Sequence, residues 1–457
     1  MSALDEILSD LGITEGAVPV TAPARELLPS PLSVTECAVS SVAACLGAAA
    51  ELMAARTGHR PEVSLDAAQV VAAVRSEVWL RDPTGEEIRG FAPLSRLWRT
   101  ADGWARTHAN YPWHRQALLD AFGVPDGDNA VVERVLGATF AGLAATEIEQ
   151  RAYASGALAV AARNTEQWRS IPAGAAVDAT SLVAIDELVG NAPPLGPSGP
   201  LPASGVRVLD LTRVIAGPTG TRMLGALGAE VLRIDPPGRP ELPLHAVDGV
   251  IGKASAILDA ATRRGKETVE ELLAQADVVV SGYRPGALRR LGLEPDQLAE
   301  CHPHLIVASL SAWGPGAWEA RRGFDSLVQI ASGIGSSTST DGDRPGVLPC
   351  QLLDHATGYL LAAGVLAALA RRARTGQVTH VRVSLARTAK WLLDQPALLG
   401  KARSPQTEAE VAPYRVALGN GWSAIGPPGR LDDRPLAWPH LPPHYGGAVP
   451  AWSDPAP

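Results

Sequence analysis

One acidic side chain, Asp354, stands at the start of a long apolar segment that runs to Thr375. Small and aliphatic residues occupy every face of this segment, basic residues fill its last turn, and Gly376 follows it. The pattern predicts a buried helix with cations at its carboxyl end and a glycine stop. A carboxylate at the mouth of such a helix could attack an electrophile, or it could cap the helix by accepting hydrogen bonds from two backbone amides. Asp354 alone does not separate the two roles.

The cysteines and histidines are scattered along the chain. The cysteines lack the C-x-x-C spacing of a zinc or redox site, and no group of His, Cys and carboxylates has the spacing of metal ligands. We therefore predict no metal site, and we interpret the cysteines as buried thiols in a reducing compartment. They are Cys37, Cys45, Cys301 and Cys350.

A local group of arginines between residues 284 and 290 could hold an anion. The chain as a whole carries a net charge of −8, and proteins that bind nucleic acid usually have a basic face, so we predict no nucleic-acid partner. Arg284, Arg289 and Arg290 supply the local positive charge. For Arg289 and Arg290, a solvated helix face is the alternative interpretation.

Composition places the chain among soluble globular proteins. Apolar residues make up 46% of the 457 residues and charged residues 19%, which suffices for two or three domains with cores of ordinary size. No apolar run reaches the roughly 20 uncharged residues that a membrane span needs. The N-terminal segment MSALDEILSDLG is acidic and amphipathic, unlike a secretory signal. We therefore expect a cytoplasmic protein without a membrane partner.

Short apolar runs alternate with helical patterns from Val206 onward. The runs VRVLDLT, EVLRID, DVVVSG and LIVASLSAW are typical of buried strands, and the segments between them are typical of helices. The alternation predicts an α/β fold with right-handed crossovers and a doubly wound parallel sheet. Ligands bind such sheets at the carboxyl ends of the strands, which points to the loops 213–218, 235–240, 281–286 and 311–316. The glycine-rich dinucleotide fingerprint is absent after the first strand, so we expect no NAD binding.

Composition also marks the boundaries between regions. Residues 191–205 are mostly Pro, Gly, Ser and Ala, which predicts a linker between an N-terminal region, residues 1–190, and the alternating region, residues 206–395. The N-terminal region has helical stretches and a hairpin pattern around an Asp-Gly turn. Residues 396–457 are rich in proline again, and we expect an irregular extension that packs on other parts of the molecule.

Five motifs follow one another in register from Gly205 to about Trp391. They are VRVLDLTRVIAGPTGTRMLGALGAEVLRID, ADVVVSGYRPGALRRLGL, HPHLIVASLSAWG, RRGFDSLVQIASG and LLDHATGYLLAAGVLAALARRARTGQVTHVRVSL. Together they resemble the class III CoA-transferase family, which includes formyl-CoA and carnitine CoA-transferases and the 2-methylacyl-CoA racemases. The resemblance implies a Rossmann-like CoA-binding domain with a smaller α+β domain. It also implies coenzyme A as a substrate, with no tightly bound cofactor.

The resemblance assigns the family's nucleophile to Asp354, because the D-x-x-T-G segment of the family matches Asp354 with Thr357 and Gly358. A carboxylate with an unperturbed pKa of about 3.9 is ionised at neutral pH and can attack a thioester without a general base. The family mechanism implies an acyl-aspartyl anhydride, then an aspartyl-CoA thioester, then the new acyl-CoA. Backbone amides at the helix mouth would stabilise the oxyanion. The implied partners are an acyl-CoA and a carboxylic acid acceptor.

The family's contacts with CoA carry over by position, with three departures. Two prolines follow the acid that ends the second strand, where the family often has a basic residue. The pair Gly282-Tyr283 replaces Asn-Phe. The Lys-Arg-Ser motif is reduced to a segment in which Lys253 is the remaining candidate. The contacts implied by the resemblance are Val214, Ile215, Ala216, Lys253, Gly282, Tyr283, Arg284, Arg290 and Leu291.

The N-terminal region resembles segments that normally follow the D-x-x-T-G helix in this family. Its VSLDAAQ resembles the unit VRVSLARTAKW at 381–391, its RTADGW resembles a small-domain hairpin, and residues 156–166 resemble the closing segment. The chain therefore looks like a fused tandem that lost its first CoA-binding half, or like a permutation. We favour the tandem because the V-S-L unit occurs twice. We expect this region to form a wall of the site over Asp354.

Two alternatives to CoA transfer remain open. In the racemases a histidine occupies the place of Phe324, and a phenyl ring cannot move protons, although His355 beside Asp354 could. A non-catalytic CoA-binding protein is the other alternative, because the Lys-Arg-Ser motif is eroded and the domains are rearranged. Family members form interlocked homodimers, so we predict a homodimer, unless the two half-copies close within one chain.

Overall fold

The computed structural model describes residues 2–14, 18–22, 26–85, 88, 90–195, 199–397, 404–439 and 443–453. Within these residues the chain forms an N-terminal region, a sheet region and a C-terminal extension. One strand that precedes the predicted linker belongs to the large sheet, so the N-terminal region contributes directly to the second part of the molecule.

The N-terminal region consists mainly of helices joined by short strands. Its helices are α1 (Ala3–Leu11), α2 (Val34–Thr57), α3 (Ala67–Ala73), α4 (Ser76–Trp79), α5 (Pro112–Phe122), α6 (Asn129–Ala141), α7 (Ala145–Ala154), α8 (Thr165–Ser170) and α9 (Pro172–Asp178). Its strands are β1 (Val20–Thr21), β2 (Val63–Asp66), β3 (Leu97–Arg99), β4 (Trp104–Thr107), β5 (Ala159–Ala161) and β6 (Ala184–Asn191). Strands β3, β4 and β5 form a small antiparallel sheet that packs with α5, α6 and α7 around one apolar cluster. The predicted Asp-Gly hairpin is the β3–β4 pair.

The sheet region alternates strands with helices. Its strands are β7 (Arg207–Leu211), β8 (Glu230–Asp235), β9 (Ala254–Ile257), β10 (Val278–Ser281), β11 (Ile306–Ser311) and β12 (Gln377–Ser384). Its helices are α10 (Ala216–Ala226), α11 (Pro243–Asp248), α12 (Arg263–Gln275), α13 (Pro295–Cys301), α14 (Asp325–Ser332), α15 (Ile334–Ser337), α16 (Leu352–Thr375) and α17 (Leu385–Asp394). The four apolar runs of the sequence form β7, β8, β10 and β11. Strand β9 is short and made of small residues, so its sequence carries no strand pattern.

The large sheet has the strand order β6-β12-β11-β10-β7-β8-β9. All neighbouring pairs from β12 to β9 are parallel, and β6 pairs with β12 antiparallel. The chain order reverses between β7 and β10, and such a reversal opens a crevice at the carboxyl ends of the strands. Leu211 pairs with Ser281, and Ser311 pairs with Ser384, so these strands end side by side. The loops after them therefore lie along one edge of the sheet.

Helices α2 and α16 form the centre of the molecule. Both span 24 residues and pack against each other, and each ends at a glycine in the left-handed conformation, Gly58 and Gly376. By length and composition both helices could cross a membrane, although neither is free of charged residues. In the structure, however, 78% of the most apolar window of α2 and 100% of that of α16 are buried within the protein. Core helices of soluble proteins show the same properties.

The C-terminal extension contacts both other parts. Its elements are α18 (Glu408–Val411), β13 (Arg415–Gly419), β14 (Trp422–Ile425), β15 (Arg430–Leu431) and β16 (Arg434–Pro435). Strand β15 pairs with β2 of the N-terminal region. Farther along, the indole N–H of Trp452 donates to the carbonyl of Leu272 on α12, at 3.1 Å. The extension thus packs on other parts of the molecule, as expected.

Candidate functional site

A cavity of about 410 Å³ lies at the carboxyl edge of the large sheet, and Asp354 is part of its wall. We name it the Asp354 cavity. Its size lies within the range of cavities that bind small molecules and cofactors. Three residues of the N-terminal region, Tyr111, Trp113 and His114, complete the wall, which confirms the expectation that this region covers Asp354. The wall also includes Arg213, Val214, Ala216, Arg239, Gly282, Tyr283, Arg284, Arg321, Arg322 and Phe324.

Asp354 does not cap its helix. It is the third residue of α16, and Gln351 occupies the cap position without a side-chain hydrogen bond. The capping role belongs to Asp325, whose carboxylate accepts the backbone N–H of Asp354 at 3.0 Å. The carboxylate of Asp354 itself makes no hydrogen bond to the residues that the structure describes. The capping interpretation of Asp354 is therefore wrong, and its side chain is available to the cavity.

The electrostatic surroundings of Asp354 differ from those of an ordinary carboxylate. Burial raises its pKa well above the usual range, and the nearby carboxylates of Asp325 and Glu77 raise it further. Burial also raises the pKa of Asp325, to about 6. Because like charges at short range resist joint ionisation, the two aspartates titrate as a pair. The assumption of an unperturbed carboxyl is wrong here, and the ionised Asp354 is a stronger base than a free aspartate.

The histidine next to Asp354 faces away from the cavity. His355 is fully buried, and its Nε2 lies 2.9 Å from Oε2 of Glu77 on α4. It therefore joins α16 to the N-terminal region, and it is absent from the wall of the Asp354 cavity. Phe324 does line the cavity, and its ring stacks on His108 with the centroids 3.8 Å apart. Neither residue offers the cavity a group that could move a proton.

The D-x-x-T-G segment fixes how α16 crosses α10. A Cβ atom on Gly358 would lie 2.4 Å from the carbonyl oxygen of Ala216, and one on Gly220 would lie 2.6 Å from that of Gly358. Both distances are too short for real atoms, so only glycines permit this crossing. The hydroxyl of Thr357 lies 2.7 Å from that of Thr388 and links α16 to α17. The motif thus brings the first turn of α16 to the loop that begins α10.

That loop contains a strained residue. Val214 has φ 69°, in the left-handed region that β-branched side chains rarely adopt. Glu241 holds it there by accepting the Val214 backbone N–H at 3.1 Å, and it also accepts from Tyr111 and from Arg233. These cations and donors outweigh burial and lower the pKa of Glu241 to about 2. Strained residues cluster at functional sites, and this one lines the Asp354 cavity.

Five arginines give the cavity a positive rim. Arg213 contacts Glu241 at 3.5 Å and Arg321 contacts Glu149 at 3.6 Å, whereas Arg239, Arg284 and Arg322 have no carboxylate partner among the described residues. Burial lowers the pKa of Arg322, and repulsion from Arg284 and Arg239 lowers it further. Guanidinium groups without carboxylate partners around one cavity attract multivalent anions such as phosphates.

The structure brings five of the predicted contact residues to the Asp354 cavity and places the others elsewhere. Lys253 is buried, and its ammonium donates to Asp210 at 2.9 Å and to Thr221 at 2.6 Å. Ile215 is buried at the start of α10. Arg290 and Leu291 line a separate groove of about 210 Å³. The five that line the cavity are Val214, Ala216, Gly282, Tyr283 and Arg284.

Several cavity residues were not predicted. Tyr111, Trp113 and His114 lie far from Asp354 in sequence, and no local pattern connects them with it. Arg239 lies in the loop 235–240 that the rule for strand ends indicated, although the residue itself was not among the predicted contacts, and Arg322 follows β11. Their charge in glycine- and proline-rich loops was the available signal. Among the described residues, no group of three or more His, Cys, Asp or Glu has the arrangement of a metal site.

Residues 203–428 match the family described as CoA-transferase family III. The probable fatty acyl-CoA transferase Rv3272 of Mycobacterium tuberculosis is 36% identical over 228 residues, which cover 46% of this chain and 58% of that protein. A formyl-CoA:oxalate CoA-transferase of Rhodopseudomonas palustris is 34% identical over 193 residues, which cover 40% of this chain and 45% of that protein. The chain thus spans about half the length of these relatives.

Two solved structures show partial similarity. The crystal structure of Rv3272 is 37% identical, with a TM-score of 0.39, and the match covers 42% of this chain and 57% of that one. A CAIB/BAIF family protein from Brucella suis is 25% identical, with a TM-score of 0.38, and the match covers 51% of this chain and 65% of that one. The matched residues include strands β7 to β12 of the large sheet, Asp354 and most of the cavity wall. Over residues 203–428, this chain belongs to CoA-transferase family III.

Proposed function

We propose that the protein is a CoA-transferase that moves CoA between an acyl-CoA thioester and a carboxylic acid, with Asp354 as the nucleophile. The observation that carries the proposal is the position of Asp354 on the wall of a cavity rimmed by arginines. Its carboxylate makes no hydrogen bond to a described residue. The arginines suit the phosphates of CoA, and the carboxylate suits an acyl carbon held in the same cavity.

The proposed reaction has four steps. The ionised carboxylate of Asp354 attacks the thioester carbonyl, and the CoA thiolate leaves with the electron pair of the carbon–sulfur bond, which gives an acyl-aspartyl anhydride. The thiolate then attacks the aspartyl carbonyl, releasing the first acid and leaving an aspartyl-CoA thioester. The acceptor carboxylate attacks that thioester, which forms a second acyl-aspartyl anhydride and expels the CoA thiolate. The thiolate then attacks the acceptor's acyl carbonyl, which gives the new acyl-CoA and releases Asp354 as a carboxylate. No external base is needed, but Asp354 must lose its proton before the first step.

Trapping of the intermediate tests the proposal. The full chain would be incubated with formyl-CoA or a fatty acyl-CoA in the absence of an acceptor acid, and hydroxylamine would then be added. We expect a hydroxamate at Asp354, located by mass spectrometry, and none in Asp354→Asn. CoA transfer without this adduct would contradict the mechanism. CoA binding without transfer from any thioester tested, with oxalate and fatty acids as acceptors, would favour the non-catalytic alternative.

The racemase alternative has one observation in its favour. His114 lines the Asp354 cavity, its ring centroid lies 5.8 Å from that of Phe324, and its Nδ1 has no hydrogen-bond partner. Burial, together with the charges of Arg322, Arg239 and Arg213, lowers its pKa to about 4, so the ring is neutral at pH 7 and can accept a proton. Exchange of the proton beside the thioester of a 2-methylacyl-CoA in D₂O, lost in His114→Gln, would establish racemisation. Absence of exchange excludes it for that substrate.

We further propose a Rossmann-like CoA-binding domain preceded by a rearranged small domain, in a cytoplasmic homodimer. The family resemblance supports the domain arrangement and the dimer, and the free cysteines suit a reducing compartment such as the cytoplasm. The N-terminal region completes the Asp354 cavity within one chain, so closure of two fused half-copies is the alternative to a dimer. Light scattering over a range of concentrations distinguishes them. A constant mass of 47.6 kDa would contradict the dimer.

A further inference from the structure

A second cavity, of about 660 Å³, lies between the β3–β4 hairpin and the loop at 338–347. It shares no lining residue with the Asp354 cavity. We name it the Arg106 cavity, after a residue of β4 in its wall. Its lining consists of Pro93, Ser95, Arg96, Leu97, Arg106, Glu133, Thr338, Thr340, Asp341, Arg344, Pro345, Gly346 and Val347.

Arg106 is a buried cation without a partner. It is 9% exposed, and its guanidinium makes no hydrogen bond or ion pair with any residue that the structure describes. The guanidinium lies over the ring of Phe91, whose centroid is 5.4 Å from the guanidinium carbon. Burial lowers its pKa to about 10 against the attraction of the Asp325 carboxylate, so it remains charged at neutral pH. A buried charge that makes no direct ion pair destabilises a fold.

Two other buried arginines of this protein have the carboxylate partners that Arg106 lacks. Arg233 donates to the carboxylates of Asp235 and Glu241, and Arg222 donates to Asp248 at 2.8 Å. In each case the fold supplies the anion from its own chain. Arg106 instead lines an open cavity, and no carboxylate of the described residues pairs with it. An anion from solution would complete the arrangement.

The rest of the lining indicates which anion fits. Glu133 is already paired with Arg96 at 2.5 Å, and Asp341 accepts the backbone N–H groups of Asp343 and Arg344 in its own turn. Neither acid therefore neutralises Arg106. Apolar side chains from both walls, Pro93, Leu97 and Val347, flank the polar groups. This combination suits a carboxylate with an aliphatic body better than inorganic phosphate.

We propose that the Arg106 cavity binds the carboxylate of a small organic acid, with Arg106 as its ionic partner and Arg344 at the mouth. The side chain of Arg344 is exposed and lies 5.7 Å from the ring centroid of Trp104, without an ion pair to a described residue. The proposal does not depend on the activity at Asp354, because the two cavities have separate walls.

Thermal unfolding of the full chain tests this site. We expect sodium butyrate to raise the melting temperature of the wild type relative to sodium chloride at equal ionic strength, since a ligand of the folded state stabilises it. Arg106→Met should melt higher than the wild type in chloride and should lose the butyrate response. Arg134→Met removes an exposed arginine of α6 and should keep that response.

Three results would overturn the proposal. A butyrate response that persists in Arg106→Met would place the acid elsewhere, including the Asp354 cavity. A response to phosphate that exceeds the response to butyrate would contradict the carboxylate assignment. A lower melting point of Arg106→Met in chloride would make Arg106 a structural residue. If Arg106→Met does not fold, Arg106→Lys keeps the charge but loses the planar fork, and we expect it to need at least about tenfold more butyrate for the same shift.

Discussion

Helices α2 and α16 are alike in construction and differ in what surrounds their first turns. Each has 24 residues, ends in Arg-Thr before a left-handed glycine, and leads into a segment with the sequence V-S-L. An acid occupies the third position of both, Glu36 in α2 and Asp354 in α16. Glu36 is exposed, whereas Asp354 is 7% exposed and lines a cavity.

The difference shows that the helix alone does not make the site. The neighbouring carboxylate of Asp325 caps α16 and raises the pKa of Asp354. One turn later, Gly358 lets α10 approach α16 closely. The residue of α2 that corresponds to Gly358 is Ser40, four residues after Glu36. The same scaffold therefore supports a reactive carboxylate only where the loops of the parallel sheet surround it.

The largest effect that we predict follows replacement of the two acids. Asp354→Asn should reduce CoA transfer by at least about 10³-fold, because the amide cannot attack a thioester. Its melting temperature near neutral pH should equal or exceed that of the wild type, since burial raises the pKa of Asp354 and the folded protein no longer has to ionise it. Glu36→Gln should change neither quantity. Retained transfer in Asp354→Asn would refute the nucleophile, and assays with melting curves measure both.

Replacing one glycine of each helix by alanine should have a smaller effect, on the stability of the protein. Gly358→Ala places a Cβ atom 2.4 Å from the Ala216 carbonyl oxygen, which should destabilise the protein by about 1–3 kcal/mol and displace Asp354. Gly47→Ala in α2 meets no atom within 4 Å, and it should stabilise the protein by up to about 1 kcal/mol because alanine favours helices. Denaturant unfolding measures both. Equal effects would mean that the crossing at Gly358 is not tight.

The smallest predicted effect is a shift in pH dependence. Transfer needs ionised Asp354, whose pKa is raised by burial and by the carboxylates of Asp325 and Glu77. Activity should therefore increase with pH above the usual carboxyl range. Glu77→Gln removes one negative charge, lowers the pKa of Asp354, and should move this increase to lower pH. Glu36→Gln is the control and should leave the profile in place. An increase that moves to higher pH in Glu77→Gln would contradict this electrostatic account.

Parts of the fold and site with local signals could be predicted from the sequence. The alternating apolar runs predicted the main strands, and the loops after those strands share one edge of the sheet. The cavity residues Val214 and Arg284 lie in these loops, and the family resemblance implied both. Distant contacts carried no such signal. The pairing of His355 with Glu77 and the burial of Lys253 against Asp210 depend on tertiary packing. So does the raised pKa of Asp354, which no property of its own segment indicates.

The packing of α2 against α16 has a consequence for synthesis of the chain. The last residue of α2 is Thr57 and the first of α16 is Leu352, so about 295 residues separate the two helices along the chain. At about 5–20 residues per second, ribosomes need about 15–60 s to translate that interval. During this time the apolar faces of α2 have no α16 to cover them, and β2 has no β15. The nascent N-terminal region therefore requires protection from aggregation until translation is nearly complete.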